Sequence, residues 1–496
     1  MDNCIKKLFL FYSLCCIGCS CGHHPEKATI SDPLPMENTL EKALNSSQFA
    51  VGEWPSRLWW EVFDDPQLSN LIEKAIKQNP TIQKVQARLI VAEQNAKKVR
   101  SALFPTLNAD YMENWQYYSK NGFVRDFYAI DPAIAKSTGL SIPSKANTID
   151  LSLNFFYEFD FWGRNLKKYR AALGEAKADL ADRIQSELSI STLVAFAYFE
   201  LQTHKAEELL EQNLLDSWKI SYDLILKQDA AGLKNKISGL DAEREVYNIE
   251  QKLSETRNNI EIDLYMLKAL TAEWPDATLD LAYVPLHFER PIPLPDHLGA
   301  DLLARRADLM AMIWRAEAAS LEIGVAKTDF YPNINLAAFA GLESLQFPTL
   351  FSWSSRTGAL QPAIHLPIFT GGSLYANLSS KIAKFNEAVA TYNEGLLDAA
   401  KEVASEMSTL YSLHDRIQLQ GKVVSTRKDK ELLYHQRFEK GLDDYVQFLV
   451  SYRERVEEQI NKVELESFKM LSVVRLIKSL GGGYLADDLP SIVEGG

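Results

Sequence analysis

All five cysteines of this 496-residue chain fall within its first 21 residues. Beyond Cys21 no thiol remains to build a disulfide framework, hold a metal or attack a substrate. The eight histidines are scattered, except for His23 and His24 beside the cysteine-rich end. Two adjacent histidines hold a metal only when a fold converges further donors on them, and the polar stretch around them reads as a flexible linker. His365 lies in an alternating stretch and is expected on a strand, facing a lumen or an interface. No phosphate-cradling glycine loop, no His-Glu-x-x-His pair and no nucleophile with a placed base occurs. The expectation is no catalytic residue, no cofactor, no metal and no enzyme.

The reactive end reads as an export signal. Lys6 and Lys7 precede a ten-residue apolar run, Leu8 to Ile17. That run is too short to cross a bilayer but suits the core of a signal peptide. Ile17-Gly18-Cys19 then resembles the end of a bacterial lipobox, with Cys16 where such boxes usually carry leucine. Residues 1–18 are expected to be removed and Cys19 lipidated; plain cleavage and an uncleaved anchor are the alternatives. Removal takes Asp2, Lys6 and Lys7, so the net charge of −13 becomes −14. Such a balance disfavours nucleic acid, which needs basic stripes. It fits a solvated periplasmic or extracellular surface, or a channel that favours cations. No later run of 18 apolar residues exists, so membrane entry would have to use a β-barrel.

The rest of the chain supplies elements of two kinds. Residues 19–55 are polar and mixed, an extended tether. Asp64, Asp65 and Pro66 then open an apolar-periodic run. From Thr81 the positions Val85, Leu89, Ala92, Ala96 and Val99 share one helical face, and Phe104-Pro105 stops the helix. Next the period becomes two. Ile149, Leu151, Leu153, Phe155, Tyr157, Phe159 and Phe161 alternate with mostly polar neighbours. This suits a membrane strand with lipid on one side and water on the other; a soluble sandwich strand is the alternative. Gly163 ends the strand. Asn165 to Ala230 follow without proline, with Leu166, Tyr169, Leu173, Ala176, Leu180, Ile184 and Leu188 at helical spacing. Such a helix is about 100 Å long. The chain turns at Gly232-Leu233 into a second helix, about Lys236 to Ala272. Residues 273–298 hold five prolines and read as a linker.

The pattern then repeats. Arg88, Ala92 and Asn108 recur 227 residues later as Arg315, Ala319 and Asn335. Phe161 and Gly163 recur 208 residues later as Phe369 and Gly371, and Gly232-Leu233 recurs as Gly441-Leu442. The fall in separation places 19 extra residues in the first half, in the loop about 117–147. Domain limits follow: a first repeat at 56–272 with strands near 106–117 and 147–161, and a second at 299–484 with strands near 333–344 and 358–369. A short tail, 485–496, ends the chain. In each half, two shorter helices match one uninterrupted helix in length: Leu68–Ala102 with Lys236–Ala272 against Asn165–Ala230, and Leu298–Asp329 with Tyr445–Leu480 against Ser373–Lys440. The stripe Leu449, Tyr452, Val456, Ile460, Val463, Met470, Val474 and Ile477 reads as coiled-coil packing. Four strands cannot close a barrel, because the smallest transmembrane barrels have about eight. Two, three or four copies would have to share one.

At this point the motifs resemble a family. Arg305-Arg306-Ala307-Asp308, Ala316-Glu317, Ile323 to Lys327 and Phe330-Tyr331-Pro332 look like those of TolC-like outer-membrane efflux proteins (outer membrane factors). The chain looks close to the lipoprotein, NodT-type branch that serves resistance-nodulation-division (RND) pumps. Phe159 to Arg164 and Pro367 to Gly372 look like the family's strand-to-helix elbows at Gly163, Gly371 and Gly372. Ala307 stands where the family usually has proline. Leu449-Val450-Ser451-Tyr452-Arg453 lacks the aspartate that Leu240-Asp241-Ala242-Glu243-Arg244 keeps. The resemblance covers about residues 55–485. It implies a mainly α fold with a transmembrane β part: duplicated strand–strand–long helix units that, as a homotrimer, form a 12-stranded β-barrel continued by a 12-helix periplasmic α-barrel. It implies a lipid-anchored outer-membrane exit duct that passively conducts drugs and other small molecules. Its partners would be a periplasmic adaptor, an inner-membrane transporter of RND type and outer-membrane lipid. The tips Gly232, Leu233, Lys236, Asp241, Gly441, Leu442, Asp443 and Asp444 would gate the duct and dock the adaptor. Asp443 and Asp444 would form an acidic ring, with Lys234 and Lys236 as counter-charges. The exit duct of a type I protein secretion system, or a lipid-anchored periplasmic coiled-coil protein, are the alternatives.

Overall fold

The structure is a computed structural model, and it describes residues 25–31, 36–44, 48–119, 145–288, 290–295, 298 and 305–484. The segment 1–18 expected to be a signal, Cys19, His23, His24, residues 120–144 of the long loop, residues 299–304 and the tail 485–496 lie outside the described residues.

Helix dominates. In chain order the elements are α1 (Glu37–Leu44), β1 (Phe49–Val51), α2 (Pro66–Gln78), α3 (Pro80–Arg100), β2 (Thr106–Tyr117), β3 (Lys145–Phe159), α4 (Arg164–Ala230), α5 (Lys236–Leu270), β4 (Ile292–Leu294), α6 (Ala307–Thr328), β5 (Asn333–Ser344), β6 (Arg356–His365), α7 (Ser373–Glu439) and α8 (Tyr445–Ser479). The duplication is carried to the residue: α4 and α7 each have 67 residues, and α5 and α8 each have 35. Neither long helix contains proline or an uncapped break. The shorter helix of the first half is interrupted at Asn79. Its amide N–H closes α2 on Ala75 O, and its side chain accepts from Thr81 N at 2.8 Å, with Pro80 opening α3.

The chain divides into two compact units. One comprises the described parts of Met1–Lys27, Glu93–Gly174 and Glu317–Glu387. It holds an antiparallel four-stranded sheet in the order β2-β3-β5-β6. Both limits of β3 and of β6 differ from the sequence reading; the strands begin at Lys145 and Arg356 rather than 147 and 358. β3 ends at Phe159 rather than 161, because the Asp160 carboxylate leaves the ladder to accept the Asn165 and Leu166 amides at 3.0 and 2.9 Å, capping α4. β6 ends at His365 rather than 369, because Pro367 has no N–H to give a ladder and Gly371 and Gly372 already turn at φ +60° and +85°.

The other unit comprises the described parts of Ala28–Ala92, Glu175–Ala316 and Ala388–Gly496. Its core joins Trp59, Trp60, Leu68 and Ile72 to Val194, Tyr198 and Leu201 of α4, Leu267 of α5, Tyr392 and Leu410 of α7, and Val474 of α8. The α8 stripe read from the sequence is buried at Leu449, Val456, Ile460, Met470, Val474 and Ile477. Segments read as tether and linker carry structure here. β1 from 19–55 pairs in parallel with β4 from 273–298, which gives two otherwise unpaired strand edges a partner. The Arg305-to-Asp308 motif is a clamp. Arg306, buried, forks onto Asp308 at 2.7 and 3.1 Å, reaches Glu402 of α7 at 2.9 Å and bonds Ser479 O at the end of α8 at 3.2 Å. Gly481, at φ +92°, lies against the Arg305 carbonyl with no room for a side chain.

Candidate functional site

Three places have features that a purely structural helical protein does not need: the sheet faces, the strand-to-helix elbows, and the helix tips.

Residues directly opposite in an antiparallel ladder share a face, so the register sorts every strand position. One row runs Tyr111, Leu151, Leu342; the next Ala109, Leu153, Ala340; the next Leu107, Phe155, Ala338, Leu360; then Tyr157, Leu336, Pro362 and Phe159, Ile334, Ile364. This face is apolar from the Leu107 row to the helix-side edge and turns polar in its last rows, where Arg356, Glu113 and Ser344 stand; Leu107, Leu153, Leu360 and Ile364 expose half or more of their surface. The opposite face is mostly polar, with Asn108, Asp110, Asp150, Ser152, Asn154, Glu158, Asn335, Glu343, Gln361 and His365, and among them Met112, Phe156 and Phe339. His365 thus lies on the polar face. Aromatic residues flank the apolar band at both ends: Trp115, Tyr117, Phe347 and Trp353 at one, Phe161, Trp162, Tyr331 and Phe369 at the other, all exposed. Among the described residues β2 and β6 each have one strand partner, so both outer edges are open. No described helix is long and apolar enough to cross a membrane.

The same register brings all four junctions with helices to one edge of the sheet, since β2 and β5 start where β3 and β6 end. The junctions are tied together. Arg164 pairs with Asp329 at 3.1 Å, and Trp162 stacks on Tyr331 at 4.9 Å and donates to Pro332 O at 2.8 Å. Gly163, at φ +67°, makes the turn into α4.

The two tips are built alike. Gly232 and Gly441, at φ +74° and +66°, take left-handed backbone. Leu233 N reaches back to Gln228 O and Leu442 N to Arg437 O, both at 2.8 Å. Each is the six-to-one bond of a Schellman cap, and both leucines are exposed. The acids expected to form a ring are engaged within the protomer. Asp443 takes a forked bond from Arg437, which holds its carboxyl below the usual aspartate range. Asp444 caps α8 through Val446 N at 3.3 Å and accepts from Gln228 at 2.8 Å, linking one tip to the other. Lys234 and Lys236 pair with neither acid; Arg437 is nearer in sequence and reaches first. Asp241 lies 3.7 Å from Arg244 on the exposed face of α5.

Three turns back from the tips sits a group that the sequence reading passed over. Arg453 repeats Arg244, but the aspartate that would hold it outside is Val450. Its guanidinium turns inward and is buried, 3.7 Å from the centre of the Trp218 ring, donating to Ser217 at 3.2 Å and Ser221 at 2.7 Å. Burial pushes it down to about 10. The missing Asp was the available signal; that Trp218 would answer it was not readable from one sequence. Further along α4, His204 bonds Asp263 of α5 at 2.7 Å, which raises its pKa. Burial raises Glu200 and Glu207 beside it.

Comparison with known proteins agrees with these features. The pattern described as outer membrane efflux protein matches residues 71–273 and 298–482. The chain is 31% identical over 476 residues to the multidrug resistance outer membrane protein MdtQ of Escherichia coli O6:H1, covering 94% of this chain and 95% of that one. It is 28% identical over 462 residues to MdtP of Escherichia coli K12, with 90% of each covered. Among solved structures, the outer membrane protein VceC of Vibrio cholerae superposes with a TM-score of 0.76 at 31% identity, over 87% of this chain and all of that one. The Campylobacter jejuni CmeC outer membrane channel shares the fold at a TM-score of 0.81 and 20% identity, over 94% of this chain and 96% of that one.

Proposed function

The chain belongs to the outer membrane efflux protein family, and from that premise we infer how it works as the outer-membrane exit duct of an efflux pump. The observation that carries the reading is the four-stranded sheet. One face carries a band of apolar residues across all four strands, the other is mostly polar, and among the described residues both outer edges are open. An open edge in lipid leaves backbone groups unpaired at several kcal/mol each. The edges β2 and β6 are therefore completed by other copies, three of which give twelve strands. The apolar face meets lipid and the polar face lines water. The long helices carry the path into the periplasm. The tips at Gly232 and Gly441 close it at rest and meet a periplasmic adaptor, through which an inner-membrane transporter of RND type supplies the energy. Cys19 carries the acyl anchor. The names of MdtQ and MdtP favour small toxic molecules as cargo over protein.

The test is direct. Membrane-extracted protein should run as a heat-modifiable trimer and form conducting channels in planar bilayers. A soluble monomer without conductance would sink the reading.

A further inference from the structure

We propose that the four strand-to-helix elbows form a cationic, aromatic-belted collar that binds anionic phospholipid headgroups of the periplasmic leaflet. The proposal rests on β2, β3, β5 and β6 being membrane strands. Their pairing puts all four elbows at one edge of the sheet. That edge is where an exposed aromatic belt begins: Phe104 is 56% exposed, Trp162 43%, Tyr331 50% and Phe369 91%. Aromatic residues so placed mark the level of the headgroups.

The charge at this edge runs against the rest of the molecule. Over the whole chain acids outnumber Lys and Arg by 66 to 53. In the stretches 97–105, 159–170, 326–333 and 366–376 there are eight Lys and Arg and two acids. Both acids are already engaged: Asp160 caps α4, and Asp329 holds Arg164. Lys97, Lys98, Lys168, Arg170 and Lys327 make no ion pair among the described residues, and all but Lys168 are exposed or sit on exposed turns. Unpaired cations within two turns of a headgroup belt have one partner of matching charge and position, the lipid phosphate. A long apolar stem lets each lie along the lipid edge with its charge in the headgroup layer.

The experiment is native mass spectrometry of the full-length, detergent-solubilised protein offered equal phosphatidylglycerol and phosphatidylcholine. Wild type should retain phosphatidylglycerol preferentially. The preference should fall about fivefold for each cation removed in the series K97Q, K98Q, K168Q and R170Q, with phosphatidylcholine retention unchanged. Equal retention by wild type, or a preference that survives all four substitutions, would overturn the proposal. So would displacement by glycerol 3-phosphate at matched concentration, which would indicate a free phosphate site. Conductance in phosphatidylcholine bilayers separates the two levels. Its absence in wild type sinks the duct and the collar together; intact conductance without lipid preference sinks the collar alone.

Discussion

Trp218→Leu should loosen the helix tips, and it should do so only while Arg453 carries its charge. The guanidinium is nine-tenths or more buried and has no carboxylate within ion-pair distance. Burial lowers its pKa to about 10, which corresponds to roughly 3 kcal/mol against the charged form. What offsets this is the Trp218 ring, worth about 2 kcal/mol when desolvated, and two hydroxyl acceptors at about 1.5 kcal/mol or more each. Leucine at 218 preserves most apolar contact but removes the π face. Local opening should then be easier by about 2 kcal/mol, or about 30-fold in amide exchange. Arg453→Met removes the charge together with its burial cost, so exchange should change by less than about fivefold. In the Arg453→Met background Trp218→Leu should be nearly silent. Hydrogen–deuterium exchange of peptides containing Gly232 and Gly441, in the four proteins of the cycle, reads this directly. Equal acceleration by Trp218→Leu in both backgrounds would refute the reasoning, since the ring would then be packing and nothing more.

Other expectations are simpler to check. Leu360→Arg and Gln361→Arg are neighbours on opposite faces of β6; the first should cost about 2–4 kcal/mol and lower the yield of folded trimer, while the second should be tolerated. His204 is raised by its bond to Asp263, so its stabilisation is complete below about pH 6.5 and is lost as pH rises through the higher folded value. The thermal advantage of wild type over His204→Gln should therefore be largest in acid and shrink toward alkaline pH. Gly441→Ala meets nothing within 4 Å and should cost only the left-handed strain, about 1–2 kcal/mol. Gly481→Ala runs into the Arg305 carbonyl and should abolish the folded trimer on a heat-modifiability gel.

How much of this was legible in one sequence depended on the range of the interactions. Local pattern determined the elements. Proline-free apolar periodicity marked α4 and α7 almost to the residue, alternation marked β3, and glycine followed by leucine marked both tips, because these depend on neighbours a few positions away. The internal repeat added the second half without new information. Boundaries set by side chains reaching back were missed: Asp160 withdrew the end of β3, and Pro367 shortened β6. Long-range pairing was decided only in three dimensions. Alternation in single strands could not say that the apolar positions around Leu107, Phe155, Ala338 and Leu360 would line up on one face across β2, β3, β5 and β6; the register says it. The tips divide the same way. The absence of an aspartate at Val450 is written in the chain. That Arg453 then turns inward onto Trp218, 235 residues earlier, depends on α4 and α8 packing side by side, which no local pattern encodes.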